Sequence, residues 1–174
     1  MTTAAIRQAE PHDAAPLARL AERTFRGTFE AWNSAEDMAA HCAKHFGEAI
    51  QAREILNTEY ETLVCEFGDE LVGFVQLHWG VGPDCVVARR PAEILRFYVD
   101  GHWHGRGLAQ QLMNELLARA GLGGADQLWL GVWEHNPRAI AFYCKSGFRE
   151  VGEQVFMLGN DRQRDIILSR PITS

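Results

Sequence analysis

The sequence predicts an α/β (α+β) fold, a mixed sheet with helices packed against it. Three observations predict it. The apolar patterning runs strand, helices, three strands, helix, strand, helix, two strands. Two of those strands, over 61–66 (ETLVCE) and 71–77 (LVGFVQL), flank Gly68-Asp69, the arrangement of an antiparallel hairpin. Near the middle a helix separates two strands, which calls for a right-handed crossover.

Each element has a local cause. The chain opens on a strand over 4–9. Asp13 is placed to cap the next helix, in which Leu17, Leu20, Ala21 and Phe25 recur at helical spacing. Ser34, with Asp37 three residues on, makes a loose capping box for a second helix, and a third covers 47–56. Beyond the hairpin, residues 80–91 carry Gly, Pro and Arg89-Arg90 and read as a loop. A strand follows over 93–99 (EILRFYV), then a glycine-bearing turn over 100–107. Leu108, Leu112, Met113, Leu116, Leu117 and Ala120 then mark one face of a helix, which Gly121, Gly123 and Gly124 end. Residues 127–133 (QLWLGVW) are apolar on both faces, as in a buried central strand. Asn136-Pro137 opens the next helix, Gly147 closes it, and strands over 148–156 and 164–170 complete the order.

Composition bounds the function. With 47% hydrophobic and 23% charged among 174 residues, the chain has the make-up of a globular protein, and its length predicts one domain, 1–174. The net charge of −6 disfavours nucleic-acid binding, which needs a cationic face, and favours cationic small molecules or basic peptides. The start MTTAAIRQAEPHD is not a signal peptide, and no apolar run reaches the length of a membrane span. Cys42, Cys65, Cys85 and Cys144 are scattered with no CxxC pair, which fits a reduced cytoplasmic setting.

Two stretches carry chemistry. The first, His104-Gly105-Arg106-Gly107-Leu108-Ala109, joins the strand EILRFYV to a helix. Glycines let a ligand approach the backbone, and the unpaired N–H groups of a helix's first turn attract anions, so a diphosphate fits here. A turn that merely starts a helix reads the same way. The motif lacks the Gly-Lys-Ser/Thr of a phosphate loop and, with Gln110, the third glycine of a dinucleotide fingerprint. The second stretch, LWLGVWEHNPRAIAFYCKSGF, puts Asn136 at a helix N-cap and Tyr143 two turns in. Taken alone, Asn136 is a cap and Tyr143, beside Phe142, a core residue.

Together the two stretches resemble the GNAT superfamily of N-acetyltransferases, closely over about 93–152, with the earlier elements in the family's order. TFRGTFEAWNSAEDM, EILRFYV and the last stretch are further similar to its bacterial spermine/spermidine acetyltransferase-like branch. The resemblance implies a mostly antiparallel sheet of about seven strands with helices on both faces, and acetyl-CoA as co-substrate. It implies that His104, Gly105, Arg106, Gly107, Leu108 and Ala109 hold the coenzyme A diphosphate. The main chain of Phe97, Tyr98 and Val99 pairs with the pantetheine arm, Asn136 contacts the cofactor, and Tyr143 protonates the departing thiolate. His104 stands where Gln or Arg is usual, and a neutral imidazole still donates one hydrogen bond. His102, His104 and His135 do not amount to a zinc set, so no metal is expected.

The chemistry asks for more. An alkyl amine near pKa 10.4 must lose a proton before it attacks, at a cost of about 4–5 kcal/mol at neutral pH. Glu93 is the candidate base, with Glu134 in reserve. Cys144 suggests a covalent route, but no histidine is positioned to activate it, so direct transfer in a ternary complex is expected. Phe29, Trp32, Glu36, Asp37 and Trp79 are candidates to line the acceptor pocket over the early helices, where aromatics hold an aliphatic amine by cation–π contact. The acceptor is a small amine, polyamines first, or a peptide amine. A protein N-terminus or lysine, or a non-catalytic acetyl-CoA-binding module, are the alternatives. An exposed edge among the last strands invites a homodimer.

Overall fold

The computed structural model describes residues 4–173. Seven strands form one sheet: β1 (Ala5–Gln8), β2 (Tyr60–Phe67), β3 (Glu70–Trp79), β4 (Pro91–Val99), β5 (Gln127–Trp133), β6 (Arg149–Leu158) and β7 (Asp161–Pro171), in the order β1-β2-β3-β4-β5-β7-β6. Every neighbouring pair is antiparallel except β4–β5, the pair bridged by the central crossover helix. The expected mixed, mostly antiparallel sheet is thus present.

Helices cover both faces. On one side lie α1 (Ala14–Phe29), α2 (Ala35–His45) and α3 (Glu48–Leu56); on the other lie α4 (Leu108–Leu122) and α5 (Pro137–Lys145). Strand alternation feeds the two cores separately. Leu63 and Val75 pack with Leu112, Met113 and Leu116 of α4, whereas their chain neighbours Val64 and Phe74 pack with Leu17, Leu20 and Phe25 of α1. Each fully buried leucine contributes about 1.5–3 kcal/mol by leaving water.

Two local expectations are corrected. Asp13 does not cap α1 with its side chain. The chain enters α1 through a 3-10 turn over Pro11–Asp13, which leaves Asp13 already helical (φ −77°) and its carboxylate turned away from the first-turn N–H groups. That carboxylate instead accepts from Arg7 at 2.7 and 2.9 Å and from the Glu10 N–H at 2.7 Å. The last two strands also run further than expected, to meet at Gly159-Asn160, where Gly159 takes φ 61°. Ser34 behaves as read: its hydroxyl accepts from the Asp37 N–H at 3.1 Å.

One irregularity sets up everything that follows. β4 and β5 pair only at Pro91–Gln127, Ala92–Leu128 and Glu93–Trp129. The next step carries a bulge, since Leu77 faces Ile94 but Gln76 faces Arg96, which leaves Leu95 as the extra residue. A bulge bends and twists its strand. From here β4 stays with β3, β5 stays with β7, and the sheet opens between them.

Candidate active site

The opening holds a cleft of about 850 Å³. Its walls are the free halves of β4 (from Ile94) and β5 (from Leu130), closed on one face by Ala139, Phe142 and Tyr143 of α5 and on the other by Thr24, Thr28 and Phe29 of α1. Arg23, Thr24, Gly27 and Thr28 lie on one helical face of α1, and a Cβ added at Gly27 would meet nothing within 4 Å. The cleft is therefore bounded by both helical layers and reaches both sides of the sheet.

At one end sits the glycine turn. Gly105 and Gly107 adopt φ 76° and 78°, the left-handed region that side-chain-bearing residues avoid, with open space where a Cβ would be. α4 begins at Leu108 with no side-chain cap, so its first-turn N–H groups remain available to an anion. His104 and Ala109 line the cleft. Arg106 is exposed, its guanidinium 4.9 Å from the Trp103 ring centroid, and the Leu108 side chain is buried among Cys65, Val72 and Trp103. Only the backbone of Leu108 can take part in binding.

Asn136 serves two ends at once. Its side-chain oxygen accepts from the Ala139 N–H at 3.2 Å and caps α5, while the residue also lines the cleft. Tyr143 is 92% buried among Phe97, Phe142 and Phe148 and lines the same cleft. Burial pushes its phenol well above the ordinary value, and Tyr98 adds to the rise, so the hydroxyl keeps its proton.

The carboxyls divide differently. Glu93 lies one residue below the opening, where β4 and β5 still pair, and is not among the residues lining the cleft. Burial raises it to about 7, with the nearby Arg96 charge opposing the rise. Its carboxylate lies 3.7 Å from His78 Nδ1. Arg96 does line the cleft, yet its charge is taken up by Glu54 at 2.6 Å, with Gln76 and the His45 carbonyl completing its bonds.

The acetyltransferase (GNAT) family pattern matches residues 18–148. An uncharacterized N-acetyltransferase of Lactobacillus delbrueckii subsp. lactis is 32% identical over 172 residues, 99% of each chain. The chain belongs to the GNAT acetyltransferase family. Over a shorter stretch of 100 residues, this GNAT acetyltransferase is 27% identical to the spermine/spermidine N(1)-acetyltransferase of Bacillus subtilis, covering 56% of this chain and 64% of that one. In fold it matches the N-acetyltransferase PaiA of Thermoplasma acidophilum, crystallised with coenzyme A, at a TM-score of 0.79 and 20% identity over 97% of this chain and 99% of that one.

The expected acceptor lining of this acetyltransferase is only partly met. Phe29 lines the cleft. Trp32 is 71% exposed on a 3-10 turn after α1 and touches the edge of Trp133 from outside, because the helix has ended before it. Trp79 packs on the opposite face, with the α4 core and against Gly123, since strand alternation turns it away from α1. Glu36 is exposed, and Asp37 is engaged by Ser34 and by the Asn160 N–H at 2.7 Å, so neither reaches the cleft. Cys144 and Glu134 also lie outside the lining set. In their place stand Trp133, Phe156 and Asp165, three positions the sequence reading missed. Alternation along β7 was the available signal: Asp165 shares its buried face with Ile167 and Ser169, an odd place for a carboxylate. No group of three or more His, Cys, Asp or Glu side chains arranged for a metal ion occurs among the described residues.

Proposed function

We propose that this acetyltransferase moves the acetyl group of acetyl-CoA to a primary alkyl amine by direct attack, with both substrates in the cleft. The observation that carries the proposal is the split between β4 and β5, which opens one cleft to both faces of the sheet. Each substrate then has its own approach.

The glycine turn suits the coenzyme A diphosphate. Gly105 and Gly107 bare the backbone, and the uncapped start of α4 supplies N–H groups and the positive end of its dipole. His104 and Ala109 flank the group, Arg106 adds a cation outside, and the Asn136 amide faces the arm. The free inner edge of Phe97, Tyr98 and Val99 offers backbone hydrogen bonds to the pantetheine amides. Bound there, acetyl-CoA supplies a thioester whose carbonyl carbon forms the new C–N bond as its C–S bond breaks.

The chain's side chains manage the protons. A main-chain N–H in the Tyr98–Val99 region steadies the charge on the carbonyl oxygen. Tyr143 keeps its proton and delivers it to the leaving sulfur. Glu93 takes the amine's proton through solvent, since it lies just below the cleft. A glutamate at its ordinary value lies about six pKa units below an alkylammonium; at about 7 it lies between three and four units below, which lowers the cost of transfer by about 3 kcal/mol.

The 100-residue match to a spermine/spermidine acetyltransferase supports polyamines as the first acceptors to try. Four free thiols support a reducing cytoplasmic setting, and the shared sheet supports one domain over 1–174. Among the described residues, no helix is long and apolar enough to cross a membrane. β6 forms a sheet edge with Val151, Val155 and Met157 exposed, which supports pairing of two copies there; a monomer mass in light scattering excludes it.

The test is thiol release from acetyl-CoA with polyamines, other alkyl amines and short peptides. Turnover with one amine supports the proposal. Acetyl-CoA that neither reacts nor raises the melting temperature overturns it.

A further inference from the structure

Most buried charges in this molecule have a counter-charge within the chain. Asp13 is held by Arg7 at 2.7 Å and Arg96 by Glu54 at 2.6 Å. Asp165 is different. It is only 6% exposed, it lines the cleft, and it makes no salt bridge among the described residues. Gln154, its cross-strand partner on β6, is the one side chain that stabilises its anion. The adjacent Arg164 is turned to the other face of β7, where it pairs with Glu134 and Glu153.

A carboxylate buried without a cation is costly, and a fold keeps one only where something compensates. The local sequence makes room for it. A Cβ at Gly131 would come within 2.9 Å of Asp165 Oδ2 and 2.5 Å of Gln154 Nε2, so the glycine on β5 leaves the space in which this carboxyl and its partner sit. Gly131 itself lines the cleft.

The surroundings have the chemistry of an alkylammonium site. Trp133 lies directly opposite Asp165 on β5, and its ring is 5.5 Å from that of Phe29. Phe156 of β6 and Tyr98 of β4 add two more aromatic walls. Such a box holds an aliphatic stem and favours a cation over its ring faces, while a carboxylate at its base supplies the opposite charge. Asp165 lies on the α1 side of the sheet, away from the glycine turn and from Tyr143 on the α5 side.

We propose that Asp165 is the acceptor-binding residue of this acetyltransferase, holding the amine as its ammonium in a box of Phe29, Tyr98, Trp133 and Phe156. This rests on the acetyl-transfer reading and narrows its acceptor to amines that are cationic at neutral pH. Arylamines, neutral at that pH and without a cationic centre, are excluded from the best substrates.

The experiment measures acetyl transfer to n-butylamine, spermidine and aniline at pH 7.5, with acetyl-CoA saturating and then limiting. For the cationic amine transferred fastest, Asp165→Asn raises the amine KM by about 30-fold or more, the effect of removing one charge of a desolvated pair, and changes the acetyl-CoA KM by less than about twofold. Gly131→Ala, which leaves the carboxylate in the chain but crowds it, raises the same KM in the same direction. The unchanged acetyl-CoA KM shows that both variants are folded. An amine KM unmoved by Asp165→Asn overturns the proposal, as does aniline as the best acceptor. Thiol release by the wild type with neither cationic amine overturns it too. Wild-type protein that neither binds nor consumes acetyl-CoA fails the broader reading instead.

Discussion

His104 Nε2 lies 2.8 Å from the carbonyl oxygen of Val99, so the imidazole ties the glycine turn to the free end of β4. A carbonyl oxygen only accepts, which fixes Nε2 as the protonated nitrogen. The residue that departs from the Gln or Arg expected there is thus a brace between the two backbone segments proposed to hold coenzyme A. His104→Gln keeps a donor and leaves the acetyl-CoA KM near wild type. His104→Ala removes a hydrogen bond of about 0.5–1.5 kcal/mol and raises that KM by about 3- to 10-fold, read from initial rates at saturating amine.

Tyr143→Phe separates acid catalysis from packing. The ring contacts with Phe97, Phe142 and Phe148 survive the change, so the melting temperature holds. General acid catalysis contributes about 100-fold or more, and the loss falls on kcat. A variant with unchanged kcat removes Tyr143 from the chemistry.

As the proposed base, Glu93 is expected to set the acid side of the pH profile. At about 7, its basic form accumulates as pH rises through neutrality, so kcat/KM climbs with pH and levels off above 7. Glu93→Gln lowers the plateau and moves the limb down toward about 6, where Asp165 ionises. A profile with the same limb in the variant assigns the titration to another group.

Stability carries the opposite trend. Burial raises Glu93 from 4.5 to about 7 and Asp165 from 3.8 to about 6, so the folded state binds their protons more tightly than the unfolded one. The stability linked to each is fully present below its unfolded value. It falls away as pH rises through about 4–6 for Asp165 and about 4.5–7 for Glu93. The loss is on the order of 3 kcal/mol apiece. Asp165→Asn therefore stabilises the protein at pH 8 and not at pH 4, read as urea midpoints at the two values. Equal midpoints for variant and wild type at pH 8 contradict the buried, unpaired state of this carboxyl.

Element order, the hairpin and the two chemical stretches were legible because they are local. Gly68-Asp69, Ser34, Asn136-Pro137 and the glycine turn each act within a few residues, and each lies where the pattern puts it. What the sequence hid was set by distance. Asp13 left its expected cap for Arg7, and nothing in residues 10–16 announces that partner. Trp79 reads as an acceptor aromatic until its register on β3 turns it toward α4. Asp165 and Gly131 are 34 positions apart and acquire meaning only once β5 and β7 pair. The bulge at Leu95, which opens the sheet, has no Gly or Pro within three residues of it.

The split sheet also has a dynamic signature. Central strands of a sheet are ordinarily the slowest part of a protein to trade amide hydrogen for deuterium. Here the facing edges of β4 beyond Glu93 and β5 beyond Trp129 lack a strand partner, so amides in the middle of the fold meet solvent like those at a rim. The slowest-exchanging core consequently divides into two blocks, β1–β4 and β5–β7, joined by three residue pairs. In the proposed mode of binding, an arm lying in the gap acts as a missing strand against β4, and its arrival is expected to slow exchange along that lip.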